Sequence, residues 1–370
     1  MSAAGTPSKA ASTAPAAFAL PDPAAFRGEI ERAIQRNIKG LEFLSSGPPT
    51  VGTTPKTEIL RRGTLSLYHY HPLSDEVYRV PLLMVMATTN RAYIFDLAPG
   101  QSMVEYLLKA GYDVYVVDWN PPRADEKHLR FEDYVLDFIP DCVKHVQRAS
   151  GEDDVSVLGY CMGGVLTAMY AATHPDGPAR NYVFFTTPID FSEMKMFSSW
   201  SDRRYFDVDR MVDTLGNAPP EMLFSAFDLL RPASRTAGIA QLWEKLDNDD
   251  FIKSYRMFDR WSTEMLPLAG EYFRQTVKEL MWENRLYRNE LKVGGRPVDL
   301  GRITKPALHV LAEHDHIVPY EASKPLIASI GSKDKEEVVL KGGHVSVAAG
   351  MNAVKRLWPK LDSWLSERSL

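Results

Sequence analysis

Two cysteines occur in the 370 residues, and Cys161 has a setting in which a thiol can act as a nucleophile. It is the centre of Gly159-Tyr160-Cys161-Met162-Gly163, after the short apolar run Val155–Leu158 and before a second apolar run from Val165 to Ala172. A strand, a sharp turn and a helix in that order make a nucleophile elbow, here with cysteine in the place more often held by serine. The turn strains its central residue and leaves no room for bulk on either flank, which is the reason for the two glycines. The helix behind the sulfur aims free N–H groups and the positive end of its dipole at it, favouring a thiolate and a later oxyanion. The pattern alone also fits a cysteine packed in a tight turn, so the partners of the thiol decide.

A thiol nucleophile needs a base and a group that orients or assists the base. The strand-like run Pro306–Ala312 is followed by Glu313-His314-Asp315-His316, and Glu336–Leu340 by Lys341-Gly342-Gly343-His344. The order Cys161, Asp315, His344, each at the end of a strand, is the order of nucleophile, acid and histidine in an α/β-hydrolase fold. The glycines before His344 let its loop bend back over the elbow. Asp190, Asp118 and Glu313 are rival acids. Asp315 is preferred, because Glu313 two residues earlier points elsewhere on an extended strand end. An oxyanion is expected to meet the backbone N–H of Met162 and a second N–H from Thr89 or Asn90, in the turn after the strand Tyr78–Thr88. The pairs His69/His71 and His314/His316 lack a third ligand at a sensible spacing, so no metal is expected.

These residues must be carried by alternating strands and helices. Strands are read at Leu65–His71, Tyr78–Thr88, Asp113–Trp119, Val155–Tyr160 and Tyr182–Thr187, with helices at Ala25–Leu44, Pro99–Ala110 and Phe131–Ala149. Such alternation predicts a mostly parallel, doubly wound sheet covered on both faces. Strand signals vanish from Phe191 to about Gly301, where aromatic and charged residues recur at helical spacing, and then return. The expected organisation is an Ala/Pro/Ser-rich disordered tail at 1–23, an α/β-hydrolase core at 24–190 and 302–370, and a helical cap inserted at 191–301. Cys142 sits at core spacing with Val135, Phe138, Ile139 and Val146 and is read as packing. A net charge of −5 with no dense basic run argues against nucleic acid. Two cysteines make no disulfide framework, no apolar run reaches spanning length, and the start lacks the pattern of a signal peptide, so a cytoplasmic protein is expected.

Several separated motifs resemble those of polyhydroxyalkanoate synthases of the PhaC family. They are Asn90–Ser102 (NRAYIFDLAPGQS), Asp113–Pro122 (DVYVVDWNPP), Gly159–Gly164 (GYCMGG), Thr186–Ser192 (TTPIDFS), Ala269–Gln275 (AGEYFRQ), Glu283–Leu286 (ENRL), Gly294–Leu300 (GGRPVDL), Glu313–Pro319 (EHDHIVP) and Gly342–His344 (GGH). The resemblance runs from about Leu82 to the C-terminus. Asn120 and Tyr320 depart from its broader pattern, which has glycine and often tryptophan there. Without the long N-terminal region of the large synthases, the chain resembles the short catalytic subunit of the two-subunit class III and IV enzymes. The resemblance implies polymerisation of 3-hydroxyacyl-coenzyme A, short-chain 3-hydroxybutyryl-CoA in particular, into polyester. It implies a covalent thioester on Cys161 and His344 as its base, with Asp315 either orienting His344 or activating the 3-hydroxyl of the incoming unit. It implies no cofactor beyond the coenzyme A that the substrate carries. It also implies an accessory subunit of the PhaE or PhaR type, homo-oligomerisation, and association with polyester granules. A cysteine thioesterase or hydrolase, turning the same three residues on water, is the rival reading.

Overall fold

The computed structural model describes residues 22–370. The tail read at 1–23 lies outside the described residues up to position 21; Asp22 and Pro23 already belong to the first helix and its cap. That helix, α1, spans Pro23–Ser45.

An eight-stranded sheet forms the centre: β1 (Lys56–Arg62), β2 (Leu65–Tyr70), β3 (Leu82–Val85), β4 (Val114–Trp119), β5 (Val155–Tyr160), β6 (Ala179–Phe185), β7 (Ala307–Ala312) and β8 (Lys335–Leu340). Their order across the sheet is β1-β2-β4-β3-β5-β6-β7-β8. β2 pairs antiparallel with β1 and with β4; every other pairing is parallel. β3, β4, β5 and β7 are buried along their whole length, as apolar strands covered on both faces must be. The chain winds outward from β3 to β4, then crosses back past β3 to β5, so the order reverses beside β3. In open α/β sheets the crevice at the carboxyl ends of the strands flanking such a reversal receives ligands.

The antiparallel edge strand β1 has no counterpart in the sequence reading. Its run KTEILRR sets only Ile59 and Leu60 among charged and polar residues, with exposed pairs on either side, so it has no continuous apolar signal. Edge strands commonly carry such charges, which discourage pairing with another chain. The helix read at Phe131–Ala149 is present but not uniform. Asp133–Phe138 is a wide π turn and α-helical geometry resumes over Ile139–Ser150. Pro140 lacks the N–H that an α-turn would use there, and the widened turn accommodates it. Cys142 is fully buried on this helix, and burial pushes its thiol pKa up.

Helices α2 (Met103–Lys109), α3 (Ile139–Ser150) and α4 (Met162–Thr173) flank the sheet. Residues 191–301 add α5 (Lys195–Trp200), α6 (Val208–Leu215), α7 (Pro220–Asp228), α8 (Pro232–Glu244), α9 (Asp249–Thr263) and α10 (Gly270–Gln275), which runs on as a wide turn to Trp282. α1 leans on this group. Lys39 pairs with Asp249 at 3.0 Å, Gly40 meets Trp243, and Arg256 and Arg260 reach the carbonyls of Ser46 and Pro49 at 3.1 and 2.7 Å. Residues 24–50, read as part of the sheet core, thus make these contacts with the inserted helices.

His309, on β7, is wholly enclosed, and neither ring nitrogen has a partner among the described residues. Burial pushes its pKa down to about 3. The folded state therefore keeps the ring neutral while the unfolded chain binds a proton below pH 6.5. Stability is full above pH 6.5 and is lost as pH falls towards 3. At pH 5 this group alone costs about 2 kcal/mol relative to pH 7.5. Urea unfolding at the two pH values should show that loss in the wild type and a clearly smaller one in His309→Leu.

Candidate active site

Cys161 joins β5 to α4 with φ 56° and ψ −122°, a conformation that side chains other than hydrogen rarely adopt. Its N–H donates to Phe185 O at 2.9 Å, and its carbonyl accepts from Val165 N at 3.1 Å. The glycines around it do what the spacing predicts. A Cβ on Gly163 would stand 2.3 Å from Val85 O, and one on Gly159 would stand 2.6 Å from the Gly164 Cα. Gly164 is equally pressed, against the Thr187 hydroxyl at 2.0 Å. The elbow is thereby wedged between the ends of β3 and β6.

His344 follows β8 and Asp315 follows β7, and the two meet. His344 Nδ1 donates to Asp315 Oδ2 at 2.6 Å, with both side chains almost sealed from solvent. The other carboxylate oxygen of Asp315 accepts from Ile317 N and Val318 N at 2.9 and 2.8 Å. With Nδ1 occupied, Nε2 is the nitrogen left for Cys161. Burial opposes a charge on His344, but the Asp315 carboxylate and the Cys161 sulfur, as charges and as hydrogen-bond partners, outweigh it and hold the imidazole at about 10.

The rival acids are engaged elsewhere. Asp190 accepts from Ser192 and from Asn284 Nδ2, the latter at 2.7 Å. Asp118 pairs with Arg91 at 2.7 Å and accepts from Ala92 N. Glu313 is exposed. The paired histidines have separate partners: His69 meets Asp113 at 2.7 Å and stacks on Tyr115, while His71 meets the Thr57 hydroxyl.

Met162 is the first residue of α4, and no acceptor takes its N–H among the described residues. The same holds for the N–H of Thr89 and Asn90. Thr89 and Met162 border one cavity together with Cys161; Asn90 borders a second that also reaches Cys161. The turn is pinned from the inserted helices. Leu266 N donates to Thr89 O at 2.8 Å, and Asn90 bridges to Met265.

Two tyrosines escaped the sequence reading. Tyr160 lays its ring 5.1 Å from that of His344 and donates its hydroxyl to His344 O at 3.3 Å. Its place inside the elbow motif, next to the nucleophile, was the available signal. Tyr272, in the AGEYFRQ segment, is fully enclosed and accepts from the Thr88 hydroxyl at 3.2 Å. Burial, together with the nearby Cys161, raises its pKa.

The raised value of His344 has a sign that can be checked. The folded protein holds this proton more tightly than the unfolded chain, so the contribution to stability is full below pH 6.5 and fades as pH rises through about 10. Ring-nitrogen NMR should place the wild-type titration near that value. Removing either partner leaves burial less opposed, so Asp315→Asn and Cys161→Ala should each move it down. A Gly163→Ala protein, whose new methyl meets backbone, should lose about 1–3 kcal/mol in denaturant unfolding.

A family model for the alpha/beta hydrolase fold matches residues 94–348, and a model for the poly-beta-hydroxybutyrate polymerase (PhaC) N-terminus matches residues 43–107. The family match thus begins well before Leu82. The poly(3-hydroxyalkanoate) polymerase subunit PhaC of Allochromatium vinosum is 36% identical over 335 residues, which are 89% of this chain and 94% of that one. The subunit of the same name from Haloferax mediterranei is 35% identical over 322 residues, 86% of this chain but 65% of that protein's length. Among solved structures, a soluble variant of monoglyceride lipase from Saccharomyces cerevisiae has a TM-score of 0.53 at 15% identity, covering 88% of this chain and 97% of its own. A protein from Sulfolobus solfataricus has a TM-score of 0.57 at 15% identity, covering 86% and 96%. The structural matches agree with the α/β-hydrolase architecture, and the sequence matches place the chain more narrowly: it belongs to the PhaC family of poly(3-hydroxyalkanoate) polymerase subunits.

Proposed function

We propose that this chain is the catalytic subunit of a polyester synthase that transfers 3-hydroxyacyl groups from coenzyme A through a thioester on Cys161. The observation that carries this reading is the position of Cys161, facing the His344–Asp315 pair and opening onto a cavity walled by apolar side chains. The Cys161 thiolate attacks the thioester carbonyl of the donor. The resulting oxyanion meets the N–H of Met162 and of Thr89 or Asn90. The carbon–sulfur bond to coenzyme A then breaks, and His344 gives its proton to the departing thiolate.

Acylation removes the charge from Cys161, and with it part of what holds the proton on His344. The neutral ring can then take the proton from the 3-hydroxyl of the next unit, whose oxygen attacks the Cys161 thioester. An ester forms, the thiolate returns, and the chain is one unit longer. Asp315 acts on His344 in this scheme, because both of its oxygens are engaged, one of them by His344. An apolar cavity beside the sulfur favours this alcohol over water, which speaks for the synthase against the thioesterase. A short 3-hydroxybutyryl unit, an accessory subunit of the PhaE or PhaR type, and a cytoplasmic location at polyester granules complete the proposal. No helix among the described residues is long and apolar enough to cross a membrane.

The test is coenzyme A release from 3-hydroxybutyryl-CoA by thiol trapping, with and without an accessory subunit, followed by recovery of the product. Wild type should release coenzyme A and leave polymer. Cys161→Ala should be slower by roughly 10³-fold or more, and Asp315→Asn by roughly 10²- to 10⁴-fold. Free 3-hydroxybutyrate without polymer, in the presence of the accessory subunit, would establish the thioesterase instead.

A further inference from the structure

Two cavities meet at Cys161, and their chemistry differs. The smaller, about 190 Å³, is walled by Met194, Phe197, Trp200, Met222 and Phe273, and none of the side chains lining it carries a positive charge. The larger, about 630 Å³, follows a groove between α8 and α9 and also reaches His344. One wall carries Arg231, at the start of α8, then Arg235 and Gln241; the other carries Phe251, Tyr255 and Phe258. With Gly238 between Arg235 and Gln241, each set recurs at three- and four-residue steps, which puts it along one side of its helix. Gly238 faces the Tyr255 ring across the groove, where even a Cβ would make only an ordinary contact at 3.7 Å.

The arginines stand exposed at the mouth of this groove. Arg235 lies 3.8 Å from Asp228 and 4.9 Å from the Phe224 ring, which fixes its direction. Arg231 has no carboxylate within ion-pair distance among the described residues. It lies near enough to His316, the residue after Asp315, for its charge to act on that ring, whose pKa is lowered mainly by burial and in part by this charge. Asp228 and Asp259 share the lining, so the groove has no strong positive field. An anion here must be held by directed guanidinium contacts.

The proposed donor has an acyl end that must reach Cys161 and a far end that carries several phosphate charges. The apolar cavity offers no cation and no ion-pairing group, and a phosphate taken into it would lose its water without compensation. The groove offers both a path to the sulfur and guanidinium groups at the outer end. We propose that coenzyme A thioesters occupy the α8–α9 groove, with Arg231 and Arg235 contacting the phosphates and the aromatic side of α9 flanking the flexible arm. This rests on the acyl-CoA reading above, and it assigns the phosphate contacts that no glycine-rich sequence motif marks.

The test pairs two substrates and one inert ligand. Wild type and R231Q/R235Q are compared on 3-hydroxybutyryl-CoA and on 3-hydroxybutyryl-pantetheine, which has the same reacting end and no phosphate. The loss of kcat/KM on the coenzyme A thioester should exceed the loss on the pantetheine thioester by about tenfold, mainly through KM. R231K/R235K should recover part of the difference. Equal losses on both substrates, or no loss on either, overturn the assignment. Binding of desulfo-coenzyme A, measured by calorimetry, needs no turnover. If neither thioester reacts yet the arginine variant binds desulfo-coenzyme A about tenfold more weakly, the groove assignment stands and the polymerase reading falls. If wild type does not bind it, or both proteins bind it alike, the groove assignment falls.

Discussion

The strained backbone of Cys161 is the constraint on which the other features depend. A residue with φ 56° and ψ −122° costs on the order of 1–3 kcal/mol and persists only where its surroundings leave no alternative. Here β5 is buried along its length before the turn, and α4 is buried over nearly all of its own. The backbone atoms of Val85 and Met86 stand against Gly163 on one side, and Thr187 stands against Gly164 on the other. The sulfur is thereby held above the carboxyl ends of the strands, at the reversal in strand order. Every other group of the site has to come to it.

That fixed position turns a cost into a working proton balance. A charged histidine in a sealed site loses its hydration, and the loss must be met by its neighbours. Asp315 meets part of it, with one oxygen on His344 and the other held by two backbone N–H groups, so the carboxylate has little freedom to turn away. Cys161 meets the rest while it is a thiolate. In the proposed acyl transfer the sulfur is the one neighbour whose charge changes. The affinity of His344 for its proton therefore rises and falls with the state of Cys161, although no atom of Asp315 needs to move.

The residues proposed to carry this chemistry stand out in the sequence because each stands at a place where the chain must change direction. Cys161 lies between glycines, His344 after glycines, and Asp315 at the end of an apolar strand, and all three positions have a steric or topological reason. Strand order leaves Asp190 open beside Asp315, since both follow a strand between Cys161 and His344; the structure gives Asp190 and Asp118 their own partners, Asn284 and Arg91. What escaped notice depends on contacts between distant segments. Tyr272 reaches Thr88 across 184 positions of sequence, and no periodicity announces that. α1 reads as an ordinary amphipathic helix, and nothing within it says that its contacts will be with α8 and α9. β1 was missed because half of its residues face solvent at an edge, where charge outweighs β-propensity.

The two walls of the groove are anchored unequally, which bears on how the proposed donor would be admitted. α9 is tied down at its end. Met257 and Trp261 are buried, Trp261 Nε1 donates to Arg91 O at 2.8 Å, and Arg260 reaches Pro49 O. The chain just beyond it fastens to Thr89 and Asn90, the turn proposed to offer an N–H to the oxyanion. α8 buries only Leu242 among its described side chains and leaves Ile239 and Trp243 about half exposed. Its hold comes from α1, from the Arg235 contacts with Asp228 and Phe224 of α7, and from the short link to α9. Elements with little buried apolar surface open at lower free energy than those tied into the core. Of the two walls, α8 is therefore the one with less to hold it, and the aromatic wall is the one tied to the Thr89–Asn90 turn. In the proposed reaction, the side by which a donor would enter is thus the less anchored one, and the N–H groups proposed for its carbonyl lie on the better anchored one.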